Sequence, residues 1–309
     1  MGKIITVTLN PTIDKSSVVN EIVPDQKIRC EKPKYEPGGG GINVSRALKK
    51  LGGDSIATFL AGGHIGNFFI ELIQKENIAI EPFFIKEQTR ENLILFDKST
   101  NNQYRFGMEG PDVAEHEWKG FLNNIEKIND IDYIVGSGSL SPGVAVDFYA
   151  RLGRIAKDKK AKYILDTSGE ALRHALSEGV FLFKPNLGEL ASLTGLKDLN
   201  KQMVEEKALE ILHSQNCEAI VVSLGPDGAL LVSKNITEHI PSPKVERKST
   251  VGAGDSMVAG MVLILSQNKT LLEAARYGVA CGTAATMNSG TELCKKEDVE
   301  KLYKWINEQ

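Results

Sequence analysis

Apolar positions along this 309-residue chain come in two kinds of run: short stretches rich in β-branched residues, and longer ones with helical spacing. The first suits a strand buried on both faces, the second an amphipathic helix. Strands are expected at residues 4–9, 55–60, 132–136, 162–165, 180–183 and 219–223. Helices are expected at 43–51, where Val44, Ala47, Leu48 and Leu51 share a face, and at 148–156, 170–176 and 204–213. The last third reads as helical over 253–265, 271–287 and 296–307. Such alternation implies an α/β fold of three layers with a mainly parallel central sheet.

Two segments break the rhythm. Residues 15–34 and 92–106 alternate polar with β-branched or aromatic side chains and have no helix between strands. They are expected to be antiparallel strands of one discontinuous β-lid, at about 12–36 and 90–108, carried by a single domain spanning 1–309. Its junctions fall at 11–14, 38–41, Arg90 and 107–110, where glycines would act as hinges. An open sheet edge or face there favours a homodimer through the lid, because an unpaired strand invites a symmetric partner.

Composition changes the picture only by exclusion. A net charge of −3 and a pI near 6.0 leave no basic footprint for nucleic acid. Cys30, Cys217, Cys281 and Cys294 are scattered without C-x-x-C spacing, so they suggest free thiols in a reducing compartment rather than zinc or disulfides. The N-terminus lacks a signal-peptide pattern and no apolar run could span a bilayer, so a cytoplasmic protein without a membrane partner is expected.

The chemistry concentrates in glycine-rich turns. Ser249-Thr250-Val251-Gly252-Ala253-Gly254-Asp255 runs directly into an apolar helix. The first N–H groups of a helix lack partners and attract anions, so this turn places a carboxylate beside an anion site and suggests phosphoryl transfer. A simple helix cap is the competing reading. Gly38-Gly39-Gly40-Gly41-Ile42-Asn43 precedes another helix, and Asn43 could meet a sugar hydroxyl with both donor and acceptor. Neither stretch is a Walker A loop, and none completes G-x-G-x-x-G, which counts against a dehydrogenase. In Lys184-Pro185-Asn186-Leu187-Gly188-Glu189, Asn186 and Glu189 share a first helical turn. They could hold hydrated Mg²⁺, with Asp166 at a neighbouring strand end adding charge, or form a capping box. Ser223-Leu224-Gly225-Pro226-Asp227-Gly228 is a strand end followed by a tight turn.

Taken in order, Gly-Gly-Gly-Gly-Ile-Asn-Val, Lys-Pro-Asn-x-x-Glu, Ser-Leu-Gly-x-x-Gly and Thr-Val-Gly-Ala-Gly-Asp-Ser resemble the ribokinase-like carbohydrate kinases, the PfkB family, across essentially the whole chain. Asn10-Pro11-Thr12-Ile13-Asp14, Lys27-Ile28-Arg29-Cys30, Thr89-Arg90-x-Asn92, Gln103-Tyr104-Arg105-Phe106 and Ser137-Gly138-Ser139-Leu140 look most like its type II 6-phosphofructokinases. The resemblance implies a ribokinase-like fold and transfer of phosphate from ATP, with Mg²⁺, to the 1-hydroxyl of fructose 6-phosphate. It makes Asp255 the base and the N–H groups of Gly252, Ala253 and Gly254 the anion hole. Asp14, Gly39, Gly40 and Asn43 would hold the sugar, while Lys27, Arg90, Arg105 and Ser139 would lie on the sugar-phosphate side. Lys184, Asn186, Ser223, Gly225, Gly228, Gly282 and Asn288 fall on the nucleotide side, with Glu189 and Asp166 acting on the metal. Fructose-1-phosphate and tagatose-6-phosphate kinases often carry Lys where this chain has Gly40, which tilts the expectation towards fructose 6-phosphate. They stay open as alternatives, as does a non-catalytic sensor. Glu109 would weaken the proposed phosphate clamp if it pointed inward.

Overall fold

The computed structural model describes residues 2–288 and 290–309, apart from the side chain of Lys201. The first half carries β1 (Ile4–Thr8), β2 (Thr12–Val19), β3 (Lys34–Gly38), α1 (Gly40–Leu51), β4 (Ile56–Gly62), α2 (Gly63–Gln74) and β5 (Ala79–Ile85). There follow β6 (Arg90–Asp97), β7 (Asn102–Phe106), α3 (Glu115–Lys127), β8 (Tyr133–Ser137), α4 (Phe148–Asp158), β9 (Lys162–Asp166) and α5 (Gly169–Glu178). The chain continues through β10 (Val180–Phe183), α6 (Leu187–Leu193), α7 (Lys201–Ser214), β11 (Cys217–Ser223), β12 (Ala229–Ser233) and β13 (Thr237–Ile240). It ends with α8 (Ala253–Ser266), α9 (Leu271–Thr286) and α10 (Lys296–Asn307).

Nine strands form the central sheet in the order β13-β12-β11-β10-β9-β8-β1-β4-β5. It is parallel from β5 to β11, and the β11–β12 and β12–β13 pairs are antiparallel. Burial on both faces explains the nearly continuous apolar strand sequences. Ile5, Val7, Ile134, Leu165, Ile220 and Val222 face one layer, where Phe121, Phe148, Leu152, Leu172 and Ala208 represent α3, α4, α5 and α7. Ile4, Tyr133, Val135, Ile164 and Val221 face the other, against Leu48 of α1, Val258 and Met261 of α8, Ala284 of α9 and Val299 of α10. Phe69 and Ile73 of α2 cover Ala57, Phe59 and Ala61 of β4. Helices α8 and α9 approach closely because Gly260 and Gly278 leave room for Cys281 and Met261; a Cβ at Gly260 would lie 3.1 Å from the Cys281 Cβ.

The second sheet has the order β3-β2-β6-β7. One expectation needs correcting: its strands are not all antiparallel, because β2 and β6 pair in parallel from Thr12↔Arg90 to Val19↔Asp97. Each follows within a few residues of a strand, β1 or β5, that belongs to the parallel part of the main sheet, so both leave in the same direction. The segment 15–34 comprises β2, a largely exposed loop at 20–33, and the start of β3, which pairs antiparallel with β2. The helix expected from Asn43 begins at Gly40, because Gly39, at φ 112°, turns the chain directly from β3 into α1.

Candidate active site

The C-terminal ends of the parallel strands share one edge of the sheet, the usual binding edge of an open α/β fold. Asp166 ends β9, Ser223 ends β11, Lys184 follows β10, and Asn10 and Ser139 follow β1 and β8. The N-termini of α1 and α8 converge there too: Asn43 Nδ2 donates a 2.9 Å hydrogen bond to Asp255 Oδ2, joining residues 212 positions apart.

Asp255 lies in the first turn of α8, whose cap, Gly252, takes φ 70°, a left-handed value costly for most residues. No side chain caps this helix, and the Ala253 N–H makes only a long 3.4 Å contact with the Thr250 carbonyl, so the start of α8 is open to an anion. Lys184 Nζ stands 3.2 Å from Asp166 Oδ1, and a Cβ at Gly254 would lie 3.4 Å from the same nitrogen. A buried ammonium therefore backs the turn. Burial alone would lower its pKa, yet Asp166, Glu189 and Asp255 together hold it above the usual lysine range. Asp255 itself is half-buried. Desolvation, followed by repulsion from Asp166, pushes its carboxyl up to about 7 against the Asn43 hydrogen bond and the Lys184 charge. A carboxyl titrating there suits proton abstraction near neutral pH.

On the other side, Asp14 accepts from Asn92 Nδ2 at 3.0 Å, and burial raises its pKa despite that bond and the Arg90 charge. Arg90 donates to the Met108 carbonyl at 2.9 Å and the Asn10 carbonyl at 3.1 Å, while its Nε is buried without a protein partner. Asn10 Nδ2 donates to Ser139 Oγ at 3.2 Å, and its Oδ1 is also unpartnered. Sequence reasoning placed Asn10 and Asn92 in motifs but gave them no role in the site; the signal was their spacing around Asp14 and Arg90. The glycine run has a packing cause as well. A Cβ at Gly40 would fall 2.7 Å from the Gly138 nitrogen, and one at Gly41 would fall 2.9 Å from the Val7 carbonyl oxygen.

The remaining candidates are less closely gathered. Asn186 and Glu189 form a reciprocal capping box at 2.8 and 2.9 Å, so the capping reading holds, and burial raises the Glu189 carboxyl. Asn186 also bridges to Ser223 in parallel. Gly225 and Gly228 bracket the turn into β12, where any side chain at 228 would strike the 240–242 backbone. Gly282 lets α9 approach the start of α8, since a Cβ there would lie 3.2 Å from the Ala253 carbonyl oxygen. The Asn288 amide is spent on the Ala284 and Leu293 carbonyls. Lys27 is exposed in the 20–33 loop, and Arg105 is exposed on β7, donating to Gln103 Oε1 at 3.1 Å. Glu109 is exposed. Among the described residues, no group of three or more His, Cys, Asp or Glu could hold a metal by itself, and no helix is long and apolar enough to cross a membrane.

Comparison with known proteins identifies the family and the fold. The family model for pfkB family carbohydrate kinases matches residues 6–298. The chain is 42% identical to the ATP-dependent 6-phosphofructokinase isozyme 2 of Escherichia coli K12 over 309 residues, covering 99% of this chain and 100% of that one. The Mycobacterium tuberculosis H37Rv protein of the same name is 38% identical, covering 97% and 89%. A 1-phosphofructokinase of Borreliella burgdorferi is 33% identical, covering 97% and 96%. Among solved structures, phosphofructokinase-2 of Escherichia coli in complex with fructose-6-phosphate superposes with a TM-score of 0.93 at 39% identity, covering 99% and 100%. Ribokinase of Thermotoga maritima, 22% identical with a TM-score of 0.77 and covering 98% and 100%, shares the fold.

Proposed function

This chain belongs to the pfkB family of carbohydrate kinases, and from that premise we propose that it is an ATP-dependent 6-phosphofructokinase. It transfers the γ-phosphoryl group of ATP to the 1-hydroxyl of fructose 6-phosphate, giving fructose 1,6-bisphosphate and ADP. The observation that carries this reading is Asp255, with its carboxyl pushed up to about 7 at the uncapped start of α8 and held by Asn43. The relatives at 42% and 38% identity bear the 6-phosphofructokinase name, and the one at 33% bears that of a 1-phosphofructokinase.

In the reaction the sugar O1–H proton passes to the Asp255 carboxylate, the O1–Pγ bond forms, and the bond from Pγ to the bridging oxygen of ADP breaks. The N–H groups of Gly252, Ala253 and Gly254 neutralise charge on the transferring group, and Lys184 adds a fixed cation behind them. Asp14, Gly39, Gly40 and Asn43 orient the sugar; Arg90 and Ser139, with Lys27 and Arg105 from the second sheet and its loop, receive its phosphate. The donor set fits Mg²⁺: Asp166 and Glu189 are two carboxylates on the nucleotide side that would hold it. Bound there, it would draw charge from the phosphates. Asn186, Ser223, Gly225 and Gly228 lie towards the nucleotide, with Gly282 and Asn288 behind it.

The second sheet serves as a lid over the sugar, excluding water from the transfer. Its outer strand β7 leaves Tyr104 and Phe106 38% and 45% exposed on an open edge, a surface suited to a second copy of the chain. A cytoplasmic location goes with MgATP and a sugar phosphate as substrates, and no helix among the described residues is long and apolar enough to cross a membrane. Phosphorus NMR of the product tests the reaction: phosphates on carbons 1 and 6 support it, and a product phosphorylated elsewhere overturns it.

A further inference from the structure

Glu36 is a buried charge on β3 that the proposed chemistry does not use. In the β2–β3 ladder it stands opposite Asp14. Its carboxylate accepts a 2.7 Å hydrogen bond from Thr291 Oγ1, 255 residues away, and faces Lys34 Nζ at 3.1 Å and Arg46 NH2 at 3.6 Å. Burial opposes ionisation, but the Thr291 hydroxyl and the charges of Lys34 and Arg46 hold the carboxyl below its usual range. Arg46 lies on α1, one turn beyond Asn43, and is itself fixed by the Pro37 carbonyl at 2.9 Å and Glu76 at 2.8 Å.

Thr291 belongs to the stretch that backs the α8 turn. Ser249 Oγ donates to the Gly290 carbonyl at 2.8 Å and accepts from the Val251 N–H at 3.2 Å. The Cys294 N–H reaches Ser256 Oγ at 3.4 Å, and Leu293 packs against Gly252. A path of ladder pairing and hydrogen bonds thus runs from Asp14 through Glu36, Thr291 and Gly290 to Ser249 and the turn that carries Asp255.

We propose that Glu36 and Thr291 are positioning residues that couple the sugar-phosphate site to the ATP site. Sugar phosphate bound against β2 steadies β3, and the Glu36–Thr291 bond passes that order to the anion-binding turn. The proposal rests on the kinase reading above. A merely structural bond would affect stability while leaving the two ligands independent, so coupling is the quantity to measure.

The experiment is calorimetric titration of a non-hydrolysable ATP analogue with Mg²⁺, with and without saturating fructose 6-phosphate, on the wild type, Thr291→Val, Thr291→Ser and Glu36→Gln. Fructose 6-phosphate should tighten analogue binding at least about fivefold in the wild type. Thr291→Val should bring that ratio close to one with little change in affinity for the analogue alone. Thr291→Ser, which keeps the hydroxyl, should retain it, and Glu36→Gln, which keeps an acceptor but no charge, should fall between. Should Thr291→Val not fold, Thr291→Ala gives the same comparison. A folded Thr291→Val or Thr291→Ala protein with the wild-type ratio overturns the proposal, as does a ratio of one in a wild type that turns over fructose 6-phosphate. A wild type with no such turnover removes the kinase reading and this proposal with it.

Discussion

Replacing Asp255 with Asn should remove activity and, at neutral pH, make the protein more stable. Asn keeps an acceptor for Asn43 Nδ2 and nearly the same volume but sheds the charge. Desolvation moves the Asp255 carboxyl from 3.8 to about 7, and at ~1.4 kcal/mol per pH unit the ionised form costs about 4 kcal/mol. Solvent on the open side of a half-buried group reduces this to roughly 2–3 kcal/mol. Because the folded pKa lies above the unfolded one, the folded protein keeps a proton that the unfolded chain releases between about pH 4 and pH 7. The group's stabilising contribution is therefore complete below the unfolded pKa and lost as pH rises through 7. For a chain of this size ~1 kcal/mol corresponds to about 2 °C. Thermal melts of both proteins should show the advantage of Asp255→Asn growing by about 4–6 °C from pH 4.5 to pH 8. Two parallel melting curves across that range would refute the desolvation argument and, with it, the reason Asp255 titrates near neutrality.

The wild-type kcat/KM should rise with pH through an apparent pKa near 7 as Asp255 becomes a base; a profile flat from pH 6 to 8 would contradict this. Arg90→Ala should raise the KM for fructose 6-phosphate about 10- to 100-fold, the worth of a charge-assisted hydrogen bond, while the KM for ATP stays nearly constant; equal changes in both would move Arg90 away from the sugar phosphate. Gly40→Ala should lower stability by about 1–3 kcal/mol in a denaturant titration, because the methyl group would meet not only the Ser137 hydroxyl but also the backbone of Ser137 and Gly138, which cannot swing aside. Light scattering should give the mass of at least a dimer at working concentration, and a fully active monomer would contradict closure through β7.

Several sheet strands and the long C-terminal helices were legible because burial on both faces leaves uninterrupted apolar runs, as at 163–165 in β9 and 219–222 in β11, and because α9 and α10 keep a helical period. Helices α2 and α3 and strands β5, β12 and β13 were not anticipated: β5 has Pro82 within it and exposed Phe84, and its burial does not alternate cleanly. The direction of β6 relative to β2 depends on which main-sheet strands precede them, information that no local pattern holds. In the site, Asp255 stood out for a chemical reason, a carboxylate beside the unpaired N–H groups of a helix start, whereas a role for Lys184 came only from the family resemblance. The Asn43–Asp255 and Glu36–Thr291 bonds join residues 212 and 255 apart and exist only once the fold closes. Gly40 and Gly41 read as bare backbone for a ligand, and their tight packing against β8 and β1 could not be seen until the strands were placed.

The most direct test is ADP release from MgATP by purified protein with fructose 6-phosphate, tagatose 6-phosphate, fructose 1-phosphate, fructose, ribose and adenosine, with Asp255→Ala alongside. The account predicts the highest kcat/KM on fructose 6-phosphate and a 10²- to 10⁴-fold fall in kcat in the variant. Preference for another acceptor, or a fall of less than about tenfold, would contradict it.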